Sequence, residues 1–347
     1  MIEVRINPWG TISDKTQVQG VAARLHIFSK LLLAYPVLFV RYLRQPQHDL
    51  VVMMHAGLFD VLLLGWLVKL RRKPLVWDIY ISWFDTLVND RKLFKADSLR
   101  ARLLYFLEKT AAHIANTKFL DTREHADYFE TLYSLPKRSL GVVHVGVDSE
   151  FLQILKQKKD SYPSGGNDKL RLLYYGNFIP LHGVNTIVEA VALLKNSGKE
   201  LELTLVGDGQ MASAITKLIS DLGLVNVTRI PWLTYSELVS EILGSDICMG
   251  IFGTSGKAQR VIPNKIYQIA AAEVPFITGE TPALREFCEL AGQNLPCEWV
   301  QLGDAEALAK AILKLYERSE RGIDKGFAFD VDDVREEFTT LLLEALP

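Results

Sequence analysis

The chain has 347 residues, of which 49% are hydrophobic and 23% charged, and its formal net charge is −2. This length and composition are typical of a globular protein of about two domains and exclude a disordered chain. The slightly acidic balance, with basic residues that are not interleaved with aromatic ones, argues against a partner made of nucleic acid.

The three cysteines are Cys248, Cys288 and Cys297, and no two of them form a CxxC pair. An odd number without such spacing argues against a disulfide framework and a structural zinc site, and it favours a reducing, cytoplasmic compartment. The first residues show no signal-peptide pattern.

Charge is distributed unevenly along the chain. Residues 1–150 hold 20 Lys and Arg against 15 Asp and Glu, whereas the remainder holds 19 against 26. The basic first half predicts attraction to an anionic membrane surface, and a solvated basic face is the alternative. We therefore expect a cytoplasmic protein that can lie peripherally at the inner face of the membrane.

The first half alternates predicted strands and helices. The apolar run 31–40 contains Pro36 and is too short to span a membrane, so it predicts an interfacial helix or a buried or acceptor-facing one. Residues 51–70 contain His55 and Asp60, which argues against a spanning helix there. Strands are predicted at 2–8, 50–54, 74–79, 119–122 and 141–147, and helices at 59–70, 98–115 and from 123 onward.

A polar stretch at 156–169 has the composition of a linker. It separates an N-terminal domain, residues 1–155, from a C-terminal domain, residues 168–325. The second half then repeats the strand–helix alternation, which predicts an α/β fold of two Rossmann-like domains facing a cleft. Its strands are predicted at 170–175, 201–206, 227–230, 246–251 and 274–278, and its helices at 184–196, 211–222, 235–243, 264–272, 283–290 and 305–318.

The segment 253–279 carries the strongest chemical signal. A glycine-containing loop brings Lys257 and Arg260 just before Pro263, and a helix begins near Asn264. Cations next to a helix N-terminus favour phosphate binding, because the backbone N–H groups and the helix dipole add to the positive charge. An ordinary solvated loop before a helix is the alternative.

Four segments of the second half together resemble the retaining glycosyltransferases of family four, which have the GT-B fold. Residues 174–183 resemble the first donor-domain loop of that family, and 205–209 its Val-Gly-Asp-Gly turn. Residues 230–233 resemble the segment that packs on the nucleotide base, and 263–277 the Pro-x-Lys helix with the strand that follows. The resemblance covers nearly the whole second half.

The chain departs from the family pattern at several positions. Asn177 and His182 stand where the family has arginine and lysine, and Arg260 and Gln268 stand where it has its paired glutamates. The family's first strand–loop–helix unit is not visible, so the N-terminal domain is expected to be incomplete. By resemblance, residues 326–347 form a final helix that crosses back to the N-terminal domain.

The resemblance implies the following site. His55, at the end of a strand, and Lys257 are assigned catalytic roles, and Asp78 and Thr122 are placed on the acceptor side. The donor-binding residues are Gly176, Asn177, His182, Gly183, Trp232, Leu233, Lys257, Arg260, Asn264, Lys265 and Gln268.

The implied activity is the transfer of a sugar from a nucleotide-sugar donor to a glycan, lipid-linked or other acceptor in polysaccharide biosynthesis. Retention of configuration is expected, with no cofactor and, since no Asp-x-Asp motif lies at a strand end, no essential metal. The alternatives are a catalytically impaired nucleotide-sugar-binding subunit and a UDP-N-acetylglucosamine 2-epimerase-like enzyme.

Overall fold

A computed structural model describes residues 2–6, 21–54, 57–159, 169–195, 200–291, 297–319 and 331–346. In these residues two parallel sheets are formed, one in each half of the chain. The first sheet has four strands in the order β1-β2-β3-β4, and the second has six in the order β10-β9-β8-β5-β6-β7.

The N-terminal sheet is covered on both faces. Leu75 and Trp77 of its second strand belong to a core shared with four helices on one face, whereas Val76 points to the other, where Leu341 of the last helix packs. This alternation is the period-two pattern of a buried strand. The elements are α1 (Val21–Leu43), β1 (Val51–Met53), α2 (Leu58–Leu70), β2 (Leu75–Asp78), α3 (Leu99–Ile114), β3 (Thr117–Leu120), α4 (Arg123–Tyr133) and β4 (Gly141–Val142).

The C-terminal sheet separates two larger cores. Leu172 and Tyr174 of its first strand face one core, and Leu173 and Tyr175 face the other. The elements are α5 (Ser149–Lys159), β5 (Leu170–Tyr175), α6 (Val184–Leu194), β6 (Leu201–Val206), α7 (Ala212–Asp221), β7 (Val227–Ile230), α8 (Tyr235–Leu243), β8 (Ile247–Met249), α9 (Asn264–Ala272), β9 (Phe276–Gly279), α10 (Pro282–Ala291), β10 (Cys297–Val300), α11 (Ala305–Ser319) and α12 (Val331–Glu344).

Two parts of the chain differ from the sequence prediction. Residues 2–6 form no strand, so the strand predicted at 2–8 is wrong over its described part. Helix α5 packs in a core of the C-terminal domain through Phe151 and Leu155, although the predicted boundary assigned residues up to 155 to the first domain. The reason is that both side chains pack against apolar residues of the C-terminal domain, which follow the linker in the sequence.

A π-helical turn at Asp85–Asp90 follows β2 and was not predicted. Its entry is held by the buried carboxylate of Glu108, which accepts hydrogen bonds from Ser82 Oγ at 2.9 Å and the Trp83 N–H at 2.7 Å. Tyr133 also donates its hydroxyl hydrogen to this carboxylate. Burial raises the pKa of Glu108 above its usual value. The turn is therefore anchored to α3 and α4.

Within the described residues, no helix combines the length and apolarity needed to cross a membrane.

Candidate functional site between the two domains

The loop after β5 brings the backbone close to other elements through its glycines. Gly176 has φ +133°, and a Cβ at this position would lie 3.0 Å from Lys265 Nζ. Gly183 has φ +60°, and a Cβ there would lie 2.4 Å from the backbone nitrogen of Gly253. Any side chain at either position would meet a neighbour, and Gly183 also adopts the left-handed conformation that favours glycine.

His182 does not serve as a cation in this loop. Its Nδ1 lies 2.5 Å from the Asn177 carbonyl oxygen, which can only accept, so Nδ1 carries the hydrogen and donates it there. Burial, followed by the positive charges of Lys265 and Arg91, lowers the pKa of His182 well below its usual value. His182 is therefore a neutral residue whose Nδ1–H holds the loop to the Asn177 carbonyl, and its contact with a donor phosphate stays a prediction.

Lys265 is a buried amine in the first turn of α9. Its Nζ lies 3.8 Å from the centre of the Tyr174 ring and has no hydrogen-bond partner among the described residues. Burial lowers its pKa well below the usual value for lysine. An unpartnered buried amine is costly unless something binds it, and this one lies beside Gly176 at the loop.

Lys257 and Arg260 reach across the gap to the π-helical turn of the N-terminal domain. Lys257 Nζ donates to Thr86 Oγ1 at 2.6 Å. Arg260 Nη2 lies 2.9 Å from both carboxylate oxygens of Asp85, and its guanidinium stacks on the Tyr128 ring at 3.6 Å. The two predicted donor-site cations thus face the gap, and both already have partners there.

The Asp85–Arg260 ion pair is buried, with Asp85 fully enclosed and Arg260 only 15% exposed. Burial acts to raise the pKa of Asp85, but the charge of Arg260 and the hydrogen bonds of Asn89 and Arg260 outweigh it, so the pKa is lowered. Lys257 has a lowered pKa because burial outweighs the attraction of Asp85, Asp90 and Asp121.

Arg91 is a site residue that sequence reasoning missed. It follows the π-helical turn directly, and its Nε is buried without a hydrogen-bond partner among the described residues. Its positive charge contributes to the lowered pKa values of His182 and Lys257. The sequence did not identify Arg91, because a π-helical turn has no local sequence signature.

On the acceptor side, Thr122 caps α4 by accepting from the His125 N–H at 3.0 Å, and its hydroxyl donates to the carbonyl of Arg260 across the gap. Asn264 hydrogen-bonds to Tyr80, again from one domain to the other. Asp78 ends β2 and is partly buried. Thr122 and the predicted donor-site residue Asn264 therefore lie where the two domains meet.

The remaining predicted residues are placed as follows. Gln268 accepts a hydrogen bond from the Tyr175 hydroxyl at 3.1 Å. Trp232 is 73% exposed just after β7, and Leu233 packs partly against a core of the C-terminal domain. His55 lies outside the described residues.

A second polar cluster joins the domains at α10 and α12. His144 Nε2 lies 3.1 Å from Glu286 on α10, and its Nδ1 lies 2.8 Å from Glu337 on α12. Glu286 also accepts the backbone N–H of Arg123. Burial lowers the pKa of His144, but the hydrogen bonds of the two glutamates outweigh it and raise the pKa to about 9. His144 is therefore charged at neutral pH.

Among the described residues there is no group of three His, Cys, Asp or Glu side chains arranged to hold a metal ion. The groups that line the gap are cations, hydroxyl groups and the N-termini of α6 and α9. Such an arrangement can bind a phosphate-bearing ligand, since N–H groups at helix N-termini and nearby cations both favour negative charge.

Comparisons with known proteins agree with this geometry. Residues 169–318 match the family model of glycosyl transferases group 1. Amylovoran biosynthesis glycosyltransferase AmsK of Erwinia amylovora is 23% identical over 183 residues, which are 52% of this chain and 42% of that protein. The chain thus spans less than half the length of this curated relative.

Solved structures show the same architecture at low sequence identity. Anabaena Alr3699/HepE in complex with UDP-glucose has a TM-score of 0.64 at 13% identity, covering 94% of this chain and 84% of that one. Sucrose-phosphate synthase of Thermosynechococcus elongatus has a TM-score of 0.65 at 14% identity, covering 96% and 82%. The predicted α/β fold of two Rossmann-like domains in the GT-B arrangement is confirmed, and residues 169–318 of the C-terminal domain are similar to the group 1 glycosyl transferases.

Proposed function

Starting from this similarity to the group 1 glycosyl transferases, we propose that the chain transfers a sugar from a nucleotide-sugar donor to a glycan or lipid-linked acceptor in polysaccharide assembly. The observation that carries the proposal is the buried amine of Lys265, which has no hydrogen-bond partner among the described residues and lies against the Gly176 loop. A diphosphate bound there would supply the missing partner. We place the reaction on the cytoplasmic side of the membrane, in keeping with the cysteine pattern.

The proposed chemistry needs positive charge at the leaving group. As the glycosidic bond to the diphosphate breaks, negative charge builds on the phosphates and the sugar becomes oxocarbenium-like. Lys265 and the N-terminus of α9 would stabilise that charge from the C-terminal domain, and Arg91 from the N-terminal domain. Lys257 and Arg260 would contribute when the diphosphate competes with Thr86 and Asp85 for them.

Three finer points belong to the proposal. Retention of configuration would follow from front-face attack, with His55 near the reacting carbon. The reaction would proceed without an essential metal, because cations and helix N-termini take the place of one. Asp78 would orient an acceptor hydroxyl, whereas Thr122 can do so only if the gap opens, since its hydroxyl is engaged by Arg260.

A second candidate is a nucleotide-sugar-binding subunit with impaired catalysis. It is favoured by the neutral state of His182 and by the Asp85 carboxylate, which already neutralises Arg260 in the gap. In that case the donor would bind but its glycosidic bond would stay intact.

A panel of UDP-, GDP- and ADP-sugars in a thermal-shift assay tests donor binding, because a ligand that binds the folded state raises its melting temperature by mass action. Release of nucleoside diphosphate, measured with and without EDTA, then separates the two candidates. Diphosphate release unaffected by EDTA supports metal-free transfer. Binding without any release with any acceptor supports the impaired subunit, and absence of any thermal shift at millimolar donor contradicts both.

A further inference from the structure

The outer face of α2 exposes a stripe of large apolar side chains. Phe59, Leu63, Trp66 and Leu70 are 52%, 46%, 48% and 70% exposed. Their spacing of four, three and four residues puts all four on one side of the helix, over a length of about 16 Å. Single exposed apolar residues are ordinary in globular proteins, but a continuous stripe marks a surface that something covers.

The helices on either side repeat the pattern. Leu33, Val37 and Val40 of α1 are 71%, 44% and 43% exposed. On α3 the exposed residues are Leu99, Leu103 and Phe106, at 82%, 58% and 63%. Each set again has the spacing of one helix face. We call these ten residues of α1, α2 and α3 the outer apolar layer.

The three helices lie side by side. Helix α1 runs parallel to α2. Tyr35, in the middle of α1, donates to Asp60 near the start of α2 at 3.1 Å, and Arg71, just after the end of α2, donates to the carbonyl of Tyr42 near the end of α1 at 3.0 Å. Helices α2 and α3 pack together and both connect neighbouring parallel strands, so they share one face of the sheet. The stripes therefore belong to one helical layer.

Charge on this layer is mainly positive. The helices themselves contain two carboxylates: Asp60 is partly buried and bound by Tyr35, and Glu108 is fully buried. Asp49 and Asp97 are exposed in the loops beside them. Basic side chains are exposed in and beside the same helices. These are Lys30, Arg41, Arg44, Lys69, Arg72, Arg100 and Arg102.

We propose that the outer apolar layer docks on a lipid bilayer that contains anionic lipid. Apolar side chains flanked by seven exposed cations and only two exposed carboxylates match the apolar interior and negative headgroups of such a surface. A second copy of the chain fits this face less well, because it would bring the same positive charges into contact. Docking is interfacial, since no described helix can cross the membrane.

The docked layer also has a direction relative to the cleft. Helix α2 begins just after the carboxyl end of β1, which is the edge of the sheet that faces the C-terminal domain. Phe59 is therefore near the cleft, and Leu70, with Lys69 and Arg72, lies at the far end. A lipid-linked acceptor held in the bilayer would enter the gap at the Phe59 end.

The test compares two variants of the full-length protein. L63E/L103E introduces carboxylates into the outer apolar layer, on α2 and α3. L193E is the matched control, because Leu193 is 52% exposed on a helix of the C-terminal domain, as Leu63 is 46% exposed on α2. Co-sedimentation is measured with vesicles of phosphatidylcholine alone and with vesicles containing about a third phosphatidylglycerol.

We expect wild type and L193E to bind the anionic vesicles, binding to fall with added salt, and L63E/L103E to partition at least about tenfold less. Equal binding of the two variants, or no binding of wild type, overturns the proposal. So does a wild-type dimer, seen by sedimentation velocity, that L63E/L103E dissociates. Thermal shifts of the same variants with nucleotide sugars are measured separately. A failure of vesicle binding would therefore not contradict the proposed donor site.

Discussion

The two domains share an architecture but differ in the surfaces that their helices expose. In the C-terminal domain, large exposed apolar residues such as Leu193, Val225 and Trp299 lie on separate elements. In the N-terminal domain they line one face of three adjacent helices. The same fold thus presents two different outer surfaces, because the core pattern that builds a Rossmann-like domain leaves the outward positions unconstrained.

At the gap the two domains bring together more basic than acidic side chains. The C-terminal domain contributes Lys257, Arg260 and Lys265, and the N-terminal domain contributes Asp85 together with Arg91. Asp85 pairs with Arg260, whereas Lys257 has only a hydroxyl partner, and Lys265 Nζ and Arg91 Nε have no hydrogen-bond partner among the described residues. A ligand that brings two phosphates would supply the missing negative charge.

The largest expected effect is on the buried ion pair that links the domains. R260A should lower the free energy of unfolding by about 3–5 kcal/mol, because it leaves the buried Asp85 carboxylate without its cation. R285A should cost about 0.5 kcal/mol or less, since its pair with Glu280 is exposed. Urea unfolding of both measures the difference, and R260A/D85N should recover part of the loss. Equal costs for R260A and R285A would show that the domains are not held by this pair.

The next effect concerns ligand binding rather than stability. K265M replaces a buried amine by an apolar side chain of similar length, so the fold should be kept while donor binding weakens by about 1.5–3 kcal/mol, roughly ten- to a hundredfold. K217M is the control, because Lys217 is exposed on α7 of the same domain. Calorimetric titration with a nucleotide sugar makes the comparison. Equal donor affinities of K265M and K217M would show that Lys265 does not bind the donor.

A third prediction uses pH to test the second contact region between the domains. The pKa of His144 is raised to about 9, so its stabilising effect is complete below its usual pKa near 6.5 and is lost as the pH rises through 9. The unfolding free energy of wild type relative to H144Q should therefore fall by about 3 kcal/mol from pH 6 to pH 10. A constant difference over that range would mean that His144 is not charged between Glu286 and Glu337.

The smallest effect compares two helix caps. Thr234 caps α8 within one domain, in a capping box with Glu237, whereas Thr122 caps α4 and also donates to Arg260 across the gap. T234A should cost about 1 kcal/mol. T122A should cost up to about 1 kcal/mol more, because the part-buried carbonyl of Arg260 loses its donor. Thermal unfolding of the two variants, with T122S as the conservative control, measures the additional destabilisation. Equal destabilisation by T234A and T122A would show that the hydrogen bond across the gap does not stabilise the fold.

Local signals explain which elements were predictable from the sequence. Helices α8 and α9 and strand β7 begin and end where they were predicted. A capping threonine at Thr234 and a proline at Pro263 mark the two helix starts, so these boundaries need no long-range information. The glycine loop at 176–183 and the cations around Pro263 could likewise be named as candidates, because glycine and charge patterns are local.

Features that depend on distant contacts were missed. The position of Arg91 depends on a π-helical turn whose entry is held by the buried Glu108. The neutral state of His182 depends on burial and on Lys265, which neither motif nor spacing reveals. The partners of Lys257 and Arg260 come from the other domain, more than 150 residues away in the chain. Local patterns therefore identified candidate residues but not their charge states or partners.

The central claim is that a diphosphate binds between the domains, held from the C-terminal side by Lys265 and from the N-terminal side by Arg91. Calorimetric titration of R91Q and wild type with UDP and with uridine tests it most directly. We expect R91Q to bind UDP at least about tenfold more weakly than wild type and uridine equally well, since one charge-assisted hydrogen bond to phosphate is lost. Equal UDP affinities of the two proteins, or no binding of UDP to wild type at millimolar concentration, would contradict the claim.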